Sequence, residues 1–294
     1  MHRTVRKQKM MKKRNKKVFL YVALVALICL AAWTIWGNTA LEVNEYEIVS
    51  DRVPQGFDGF RIAQVSDLHN AEFGEENWKL IQMLSQTNPD IIVLTGDLID
   101  SRRTDLDVAL EFAWQAGKIA RVYYVSGNHE ARVPEYEDLK IGLVKAGVVI
   151  LENQKVQITR EGESITLIGI DDPSFQESYL FGDAEGVAKQ AIDNLQSESD
   201  GYTVLLSHRP ELFDLYVETQ MDLVFSGHAH GGQFRLPFVG GIVAPNQGFF
   251  PKYDDGRYDE ENTTMIVSRG VGNSIIPIRF NNRPEIVVVQ LKSQ

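Results

Sequence analysis

Residues 91–100 read IIVLTGDLID, an apolar run that stops at Gly96 and leads directly into Asp97. Apolar runs that end in polar residues also occur on either side of it, in residues 60–69 (FRIAQVSDLH), which lead into Asp67, and residues 122–130 (VYYVSGNHE), which lead through Gly127 into Asn128. Two later runs, residues 204–208 (VLLSH) and 223–230 (LVFSGHAH), also lead into histidine. Short runs rich in Val, Ile and Leu are typical of strands that are buried on both faces.

Helical spacing separates several of these runs. The predicted helices are residues 76–86, 106–116, 135–146, 183–196 and 211–217, and the further apolar runs are residues 165–170, 265–267 and 286–291. Strands that alternate with helices predict a layered α/β protein with a largely parallel or mixed central sheet. Residues 237–262 are rich in Gly, Pro, Asn and Asp, which predicts a long irregular loop near the functional site.

Composition and charge exclude several classes of protein. With 294 residues, 44% hydrophobic residues and one cysteine, the chain can build a large core, and it is neither disordered nor a disulfide scaffold. Residues 1–17 contain nine Lys and Arg and no acid. Removing these nine from the 30 basic residues leaves 21 against 40 acidic ones, so the body carries about −19. Such a body is a poor partner for nucleic acid.

The N-terminal region predicts a membrane anchor. Residues 18–36 form an uncharged apolar run that, as a helix, is about 28 Å long and can span a bilayer. Trp33 and Trp36 lie where aromatic rings prefer the headgroup level, and the basic residues 1–17 are expected to stay cytoplasmic. A cleaved secretory signal is the alternative, although the run is long and residues 38–40 form a poor cleavage site. Either way, we expect residues 37–294 outside the cytoplasm as one domain.

Side chains that bind metals follow five of the apolar runs. They are Asp67, His69, Asp97, Asn128, His208, His228 and His230. Because open α/β sheets gather ligands at the carboxyl ends of their strands, we expect these groups to converge on one rim. Residues i and i+2 of an extended backbone face the same side, which makes Asp67/His69 and His228/His230 potential chelating pairs.

The number and type of donors predict two ions. Seven donors are too many for one ion, whereas two ions about 3.5–4 Å apart can share a carboxylate, for which Asp97 is the natural choice. Mixed imidazole and oxygen donors indicate Mn, with Fe or Zn as alternatives, over Ca or Mg.

Taken in order, these motifs resemble those of the calcineurin-like metallophosphoesterases. They are Asp67-x-His69, Gly96-Asp97-x-x-Asp100, Gly127-Asn128-His129-Glu130, His208 and Gly227-His228-x-His230. The resemblance covers roughly residues 57–291, and residues 169–173, 231–233 and 279–285 are similar to its YaeI/YkuE branch, whose members often have a membrane anchor or an export signal. It implies a layered metallophosphoesterase-type β-sandwich flanked by helices and preceded by one transmembrane helix.

The resemblance also implies a role for each donor. One ion would be held by Asp67, His69 and His230, the other by Asn128, His208 and His228, and Asp97 would bridge them. His129 corresponds to the histidine that contacts the scissile phosphate. Glu130 stands where many members have Asp, and we expect its longer side chain to orient the His129 imidazole.

These roles predict a phosphoric ester hydrolase. We expect a metal-bridging hydroxide to attack the phosphorus of a phosphate mono- or diester while His129 protonates or hydrogen-bonds the leaving oxygen. The anchor makes a lipid or cell-envelope substrate attractive, so a pyrophosphohydrolase of a lipid-linked nucleotide is an alternative. A catalytically silent, metal-bearing surface interaction module is another. Residues 127–129 argue against the module, because a structural metal site has no use for an unligated histidine.

Four further residues are weaker candidates. Asp100 either positions the strand exit that carries Asp97 or caps the next turn. Asp172 follows another predicted strand, where support of the site competes with an ordinary turn. Arg279 either meets the substrate phosphate or forms an ion pair, and the same two roles are open to Arg209, with the ion pair favoured.

Overall fold

The computed structural model describes residues 2–197, 201–273 and 275–294. It begins with helix α1 (His2–Thr39). Within α1, the segment Lys13–Thr39 is long and apolar enough to cross a membrane, and its most apolar stretch is not buried inside the protein. The helix is therefore no part of the hydrophobic core.

The first sheet contains six strands and carries three of the five strand ends of interest. In spatial order its strands are β1 (Glu42–Ser50), β16 (Glu285–Ser293), β2 (Arg61–Val65), β3 (Ile91–Thr95), β4 (Arg121–Val125) and β5 (Val149–Ile150). The pairings from β2 through β5 are parallel, whereas β16 is antiparallel to β2. The carboxyl ends of β2, β3 and β4 therefore meet at one edge.

The second sheet also contains six strands and carries the other two strand ends. In spatial order its strands are β14 (Gly256–Glu260), β15 (Thr263–Val267), β9 (Leu223–Ser226), β8 (Thr203–Leu206), β7 (Glu163–Gly169) and β6 (Gln154–Arg160). The four inner strands are parallel to one another, and the two edge strands are antiparallel to their neighbours.

Apolar packing stacks the two sheets face to face, with helices outside. Residues of both sheets, such as Ile62, Val93 and Leu206, share the central cluster. The outer face of the first sheet packs against helices α2 (Trp78–Gln86), α3 (Leu106–Gly117) and α4 (Tyr136–Lys145). The outer face of the second sheet packs against α5 (Ala184–Leu195) and α6 (Phe213–Glu218). This four-layer arrangement confirms the predicted α/β sandwich.

Two helices, α3 and α5, begin after an aspartate that caps the first turn. The Asp105 side chain accepts a hydrogen bond from the Asp107 backbone N–H, and Asp183 accepts one from that of Gly186. A carboxylate at this position satisfies a donor that the first helical turn leaves without a partner.

The prediction of one long irregular loop over residues 237–262 was wrong. This region contains β14 and parts of two small hairpins, which are β10 (Arg235–Leu236) with β11 (Gly240–Gly241) and β12 (Val243–Ala244) with β13 (Gly248–Phe249). Left-handed residues at Phe238 and Asn246 turn the chain within each hairpin. The turn-forming residues thus fold this segment back on itself instead of leaving it irregular.

Candidate metal centre

The structure brings all seven predicted ligands and His129 to the carboxyl ends of five strands. Residues 67 and 69 follow β2, residue 97 follows β3, residues 128 and 129 follow β4, residue 208 follows β8, and residues 228 and 230 follow β9. All eight side chains are buried, although each is polar. Buried polar groups require partners, so their convergence indicates a built site.

We call Asp67, His69 and His230 the first donor group. The Nε2 atoms of His69 and His230 lie 3.2 Å apart, and Asp67 Oδ1 is 3.4 Å from His230 Nε2. The pKa values of both imidazoles are lowered, chiefly by burial. The two neutral imidazoles direct nitrogen atoms toward each other and toward a carboxylate oxygen. This arrangement matches the geometry of a cation site.

We call Asp97, His208 and His228 the second donor group. Asp97 Oδ2 lies 3.2 Å from His208 Nε2, which lies 3.1 Å from His228 Nδ1. Asn128 Oδ1 is buried and has no hydrogen-bond partner among the described residues. A buried carbonyl oxygen without a donor is an oxygen that a cation can satisfy.

Asp97 faces both groups. Its Oδ2 atom is 3.6 Å from His69 Nε2 on one side and 3.2 Å from His208 Nε2 on the other. Its Oδ1 atom accepts a hydrogen bond from the His129 backbone N–H at 2.8 Å, which fixes the carboxylate between the groups.

The contacts of His208 indicate whether a cation fits the donor set. Its Nδ1 lies 2.7 Å from the Thr95 carbonyl oxygen, which can only accept, so Nδ1 carries a hydrogen. In the neutral ring Nε2 then presents a lone pair to the Asp97 carboxylate, and only a positive charge between them makes this favourable. A proton can supply it: burial lowers the pKa of His208, but the Asp97 charge outweighs burial and raises it to about 10. A divalent cation satisfies the same demand, so the donor set fits one.

The candidate ligands are oriented by left-handed backbone and not by an extended chain. Asp67, His69, Asp97, His228 and His230 all have φ between +45° and +65°. The expectation that His228 and His230 chelate together as an i, i+2 pair is therefore wrong: His228 joins the second donor group and His230 the first. The left-handed backbone at His228 and the helical backbone at Ala229, which lies between the two histidines, break the extended geometry that the i, i+2 argument requires.

Two glycines let the loops approach each other closely. A Cβ atom added to Gly127 would collide with the Asp97 carboxylate, and one added to Gly227 would collide with Ser66 and Asp67. The loops of neighbouring strands thus pack backbone against side chain at the donor groups, which only glycine allows.

His129 lies beside the first donor group and has a defined proton position. Its ring is 4.5 Å from the His69 ring, centroid to centroid. The Ser101 backbone N–H donates to His129 Nδ1 at 3.0 Å, so the neutral ring carries its hydrogen on Nε2. Its pKa is lowered, with burial as the largest cause.

Glu130 has a different role from the expected one. Its carboxylate accepts hydrogen bonds from the backbone N–H groups of Asp97, Leu98, Ile99 and Gly127 at 2.7–3.4 Å. The longer side chain therefore joins the loops after β3 and β4 instead of orienting the His129 ring, whose Nδ1 is fixed by Ser101.

Asp100 is committed to a local turn. Its Oδ1 atom accepts a hydrogen bond from the Arg102 backbone N–H, and its Oδ2 atom pairs with the Arg102 guanidinium at 2.7 Å. Burial raises the pKa of Asp100, but the bonds from Arg102 outweigh it and lower the pKa to about 2. Of the two predicted roles, the contacts support capping of the turn.

Asp172 and Arg209 form a buried ion pair behind the second donor group. Arg209 donates through Nε and Nη2 to the two Asp172 oxygens, and its Nη1 donates to Asn246 Oδ1 at 2.9 Å. Asn246 Oδ1 is also 3.0 Å from His228 Nε2. Arg209 Nη1 lies 3.2 Å from the same Nε2 atom. The two contacts hold the His228 ring with its Nδ1 atom toward the donor group.

Sequence reasoning gave Arg209 little weight and missed Asn246 entirely. Arg209 follows His208 directly, so a charged residue beside a candidate ligand was an available signal. Asn246 lies on the β12–β13 hairpin, within residues 237–262, which were expected near the functional site, but no motif singles it out.

Arg279 supports the first donor group from behind. Its side chain bonds the Gly272 carbonyl and, at 2.9 Å, Asn273 Oδ1. Gly272 in turn donates its backbone N–H to the Asp67 carbonyl at 2.7 Å. Burial lowers the pKa of Arg279 to about 10. These contacts hold a loop in place, and Arg279 Nη1 is buried without a hydrogen-bond partner among the described residues.

Comparison with known proteins agrees with this geometry. The family model of calcineurin-like phosphoesterases matches residues 60–232, the segment that carries every candidate donor. The chain is 30% identical over 303 residues to the metallophosphoesterase YkuE of Bacillus subtilis, covering 96% of this chain and 99% of that protein. It is 28% identical over 234 residues to the phosphodiesterase YaeI of Escherichia coli, covering 78% and 83%.

A third relative is the transmembrane protein with metallophosphoesterase domain of Danio rerio, 30% identical over 282 residues. That match covers 92% of this chain and 62% of the relative. The family model matches more than half of the chain, and the similarity to YkuE extends over nearly all of both proteins. Together these two findings establish the family. The chain therefore belongs to the calcineurin-like phosphoesterase family and is a phosphoric ester hydrolase.

Proposed function

We propose that this enzyme hydrolyses phosphate monoesters or diesters at a centre of two divalent transition-metal ions, Mn²⁺ or else Fe or Zn. The first donor group would hold one ion, and His208, His228 and Asn128 would hold the other. Asp97 would contact both. The supporting observation is that Asp97 Oδ2 faces His69 Nε2 at 3.6 Å and His208 Nε2 at 3.2 Å.

The charge of the donor set suits a phosphate ester. It contains two carboxylates, Asp67 and Asp97, together with four imidazoles and the neutral Asn128 amide. When bound, two divalent ions lower the pKa of water and offset the charge of phosphate oxygens. Two carboxylates would leave about +2 for the hydroxide and the anionic substrate, and a third carboxylate at position 128 would halve that charge.

His129 supplies a hydrogen-bond donor at the edge of this site. Because Nδ1 accepts from the Ser101 N–H, Nε2 carries a hydrogen that can bond to the negative charge developing on the leaving oxygen of an ester. The T-shaped contact with the His69 ring keeps the imidazole beside the first donor group. The relative YaeI of Escherichia coli is a phosphodiesterase, which supports diesters as one substrate class.

The proposed enzyme is anchored in the membrane. Residues 1–17 would lie in the cytoplasm, residues 18–36 would span the bilayer, and the domain of residues 37–294 would lie outside. The exposed apolar helix α1 and the nine basic residues before its apolar run support this orientation. Protease added outside sealed, right-side-out membrane vesicles should degrade the domain, and its survival would contradict the orientation.

An assay with a generic aryl phosphate ester tests the proposed activity. The metal-supplemented full chain should release the aryl group from p-nitrophenyl phosphate or bis(p-nitrophenyl) phosphate. His129→Ala should retain its metal by elemental analysis and lose roughly 10²–10³-fold in rate, the usual cost of removing one hydrogen-bond donor to a developing oxyanion. Turnover by the variant at the wild-type rate would remove His129 from the mechanism. Absence of turnover by the metal-loaded wild type on both esters would favour the surface interaction module.

A further inference from the structure

Seven large apolar side chains are exposed on three loops that the proposed function does not use. We call them the apolar rim: Leu236, Phe238, Val239, Phe249, Phe250, Ile275 and Ile278. Phe238 is fully exposed, Phe249 is 76% exposed and Ile275 is 71% exposed. Loop tips of soluble proteins are normally polar, so exposed apolar tips indicate an interaction surface.

The three tips share a composition. They read LPFV at residues 236–239, GFFP at residues 248–251 and IIPI at residues 275–278, and none contains a charged residue. The rest of the domain is strongly acidic. An uncharged apolar surface on an acidic body suits a partner that binds by apolar contact and not by charge attraction.

Backbone hydrogen bonds join the tips into one surface. The Gln233 side-chain amide donates to the carbonyls of Ile276 and Ile278, both at 2.8 Å. The Ile242 N–H donates to the Phe234 carbonyl, and the Phe250 N–H donates to the Ile242 carbonyl. The hairpins that carry Phe238 and Phe249 are thus tied to the segment that carries Ile278.

The same surface adjoins the end of α1. The Asn38 amide donates to the Arg279 carbonyl at 2.9 Å and accepts from the Arg279 N–H at 2.8 Å. Asn38 is two residues beyond Trp36, over whose ring the Arg283 guanidinium lies at 4.9 Å. If Trp36 lies at the headgroup level, Arg279 lies there too, and Ile278 is the residue before it.

We propose that the apolar rim inserts into the outer interfacial layer of the bilayer that α1 spans. The proposal uses the anchor orientation given above but goes beyond the hydrolase activity, because it assigns a second membrane contact to the domain itself. Asn282 links this contact to the first donor group, since its amide donates to the carbonyls of His230 and Gln233. Insertion would therefore hold the candidate metal centre at the membrane surface.

Site-specific labelling of the full chain tests the proposal without any turnover. The only cysteine, Cys29, is replaced by Ser, and a polarity-sensitive thiol fluorophore is attached at Phe238→Cys. A second variant, Phe249→Cys, keeps the test valid should the first fail to fold. Val144→Cys is the matched control, because Val144 is equally apolar, exposed, and on α4 next to the opposite edge strand β5.

Each protein is reconstituted in phosphatidylcholine vesicles with and without acyl-brominated lipid. We expect brominated lipid to quench the label at residue 238 or 249 at least about twofold more than the label at residue 144. Equal quenching at rim and control positions overturns the proposal. Protection of the rim labels from both brominated lipid and aqueous iodide also overturns it, because a second copy of the chain would then cover the rim.

Discussion

The two sheets hold their candidate ligands in different ways. Behind the ligands of the first sheet, a carboxylate, Glu130, accepts four backbone N–H bonds and so fixes loops. Behind those of the second sheet, a cation, Arg209, pairs with Asp172 and contacts the ligand His228 both directly and through Asn246. The first sheet thus sets ligand positions through the backbone, whereas the second sets the orientation of an imidazole ring.

The two sheets also differ in how the loss of the supporting residue would destabilise the fold. Glu130 and Arg209 are both buried, but only Arg209 has an oppositely charged partner in direct contact. Burial and the charge of Asp97 raise the pKa of Glu130, and its backbone donors oppose that shift. We therefore expect removal of Arg209 to leave the buried Asp172 carboxylate without a compensating charge. Removal of Glu130 should instead leave backbone N–H donors without partners.

The largest effect on activity should come from a substitution of Asp97, which faces the candidate ligands of both sheets. Asp97→Asn removes the carboxylate that faces both donor groups while keeping its shape. We expect kcat/KM on an aryl phosphate to fall by roughly a thousandfold, since several kcal/mol of charge stabilisation disappear. The control is Asp105→Asn, because Asn caps a helix as well as Asp does. A loss within about tenfold for Asp97→Asn would contradict the shared carboxylate.

Arg209→Met tests the ion pair of the second sheet. Because Asp172 would remain buried without its partner, we expect a loss of about 3–5 kcal/mol in the free energy of unfolding by urea. The matched control is Arg257→Met, whose partner Asp259 is exposed, and its loss should stay below about 1 kcal/mol. Equal losses in the two variants would show that the Arg209 pair has no special structural role.

Glu130→Gln tests the loop junction of the first sheet. One of the two oxygens becomes an NH₂ group that faces backbone N–H donors, so the free energy of unfolding should fall by about 1–3 kcal/mol. The loops after β3 and β4 should loosen, and their amides should exchange hydrogen faster in mass spectrometry. The exposed Glu137→Gln is the control. Unchanged exchange at residues 97–99 in Glu130→Gln would exclude the proposed junction.

The smallest effect should come from a substitution of Asn246, which only orients the His228 ring. Asn246→Gly removes the acceptor at His228 Nε2, and glycine suits the left-handed backbone at this position. We expect Mn²⁺ affinity to fall about 10-fold, with a change in unfolding free energy near 0.5 kcal/mol or less. Asn88→Gly is the control, because Asn88 is also exposed and left-handed but lies before β3. Equal Mn²⁺ affinities of the two variants would remove Asn246 from the site.

The sequence predicted the inner strands because each is buried on both faces and so reads as an apolar run. Edge strands have one face in solvent, and β1, β6 and β14 escaped prediction for this reason: their sequences, EVNEYEIVS, QKVQITR and GRYDE, mix polar and apolar residues. The family resemblance supplied the sandwich, which the alternation of strands and helices alone left open.

The convergence of the candidate ligands was predictable because parallel strands end at one edge, but their pairing was not. Left-handed backbone at His228 and His230 overrides the i, i+2 argument, which holds only for an extended chain. Likewise, the role of Glu130 depends on contacts with residues 31 and 32 positions away, and that of Asn246 on contacts with residues 18 and 37 positions away. Local sequence does not encode such contacts.

The central claim is that two metal ions share the Asp97 carboxylate, and Mn²⁺ electron paramagnetic resonance tests it most directly. Wild-type protein that elemental analysis shows to carry two Mn²⁺ per chain should give the spectrum of an exchange-coupled pair, and Asp97→Asn should lose that coupling. A six-line spectrum of isolated ions from the fully loaded wild type would contradict the claim, as would a chain that binds a single ion.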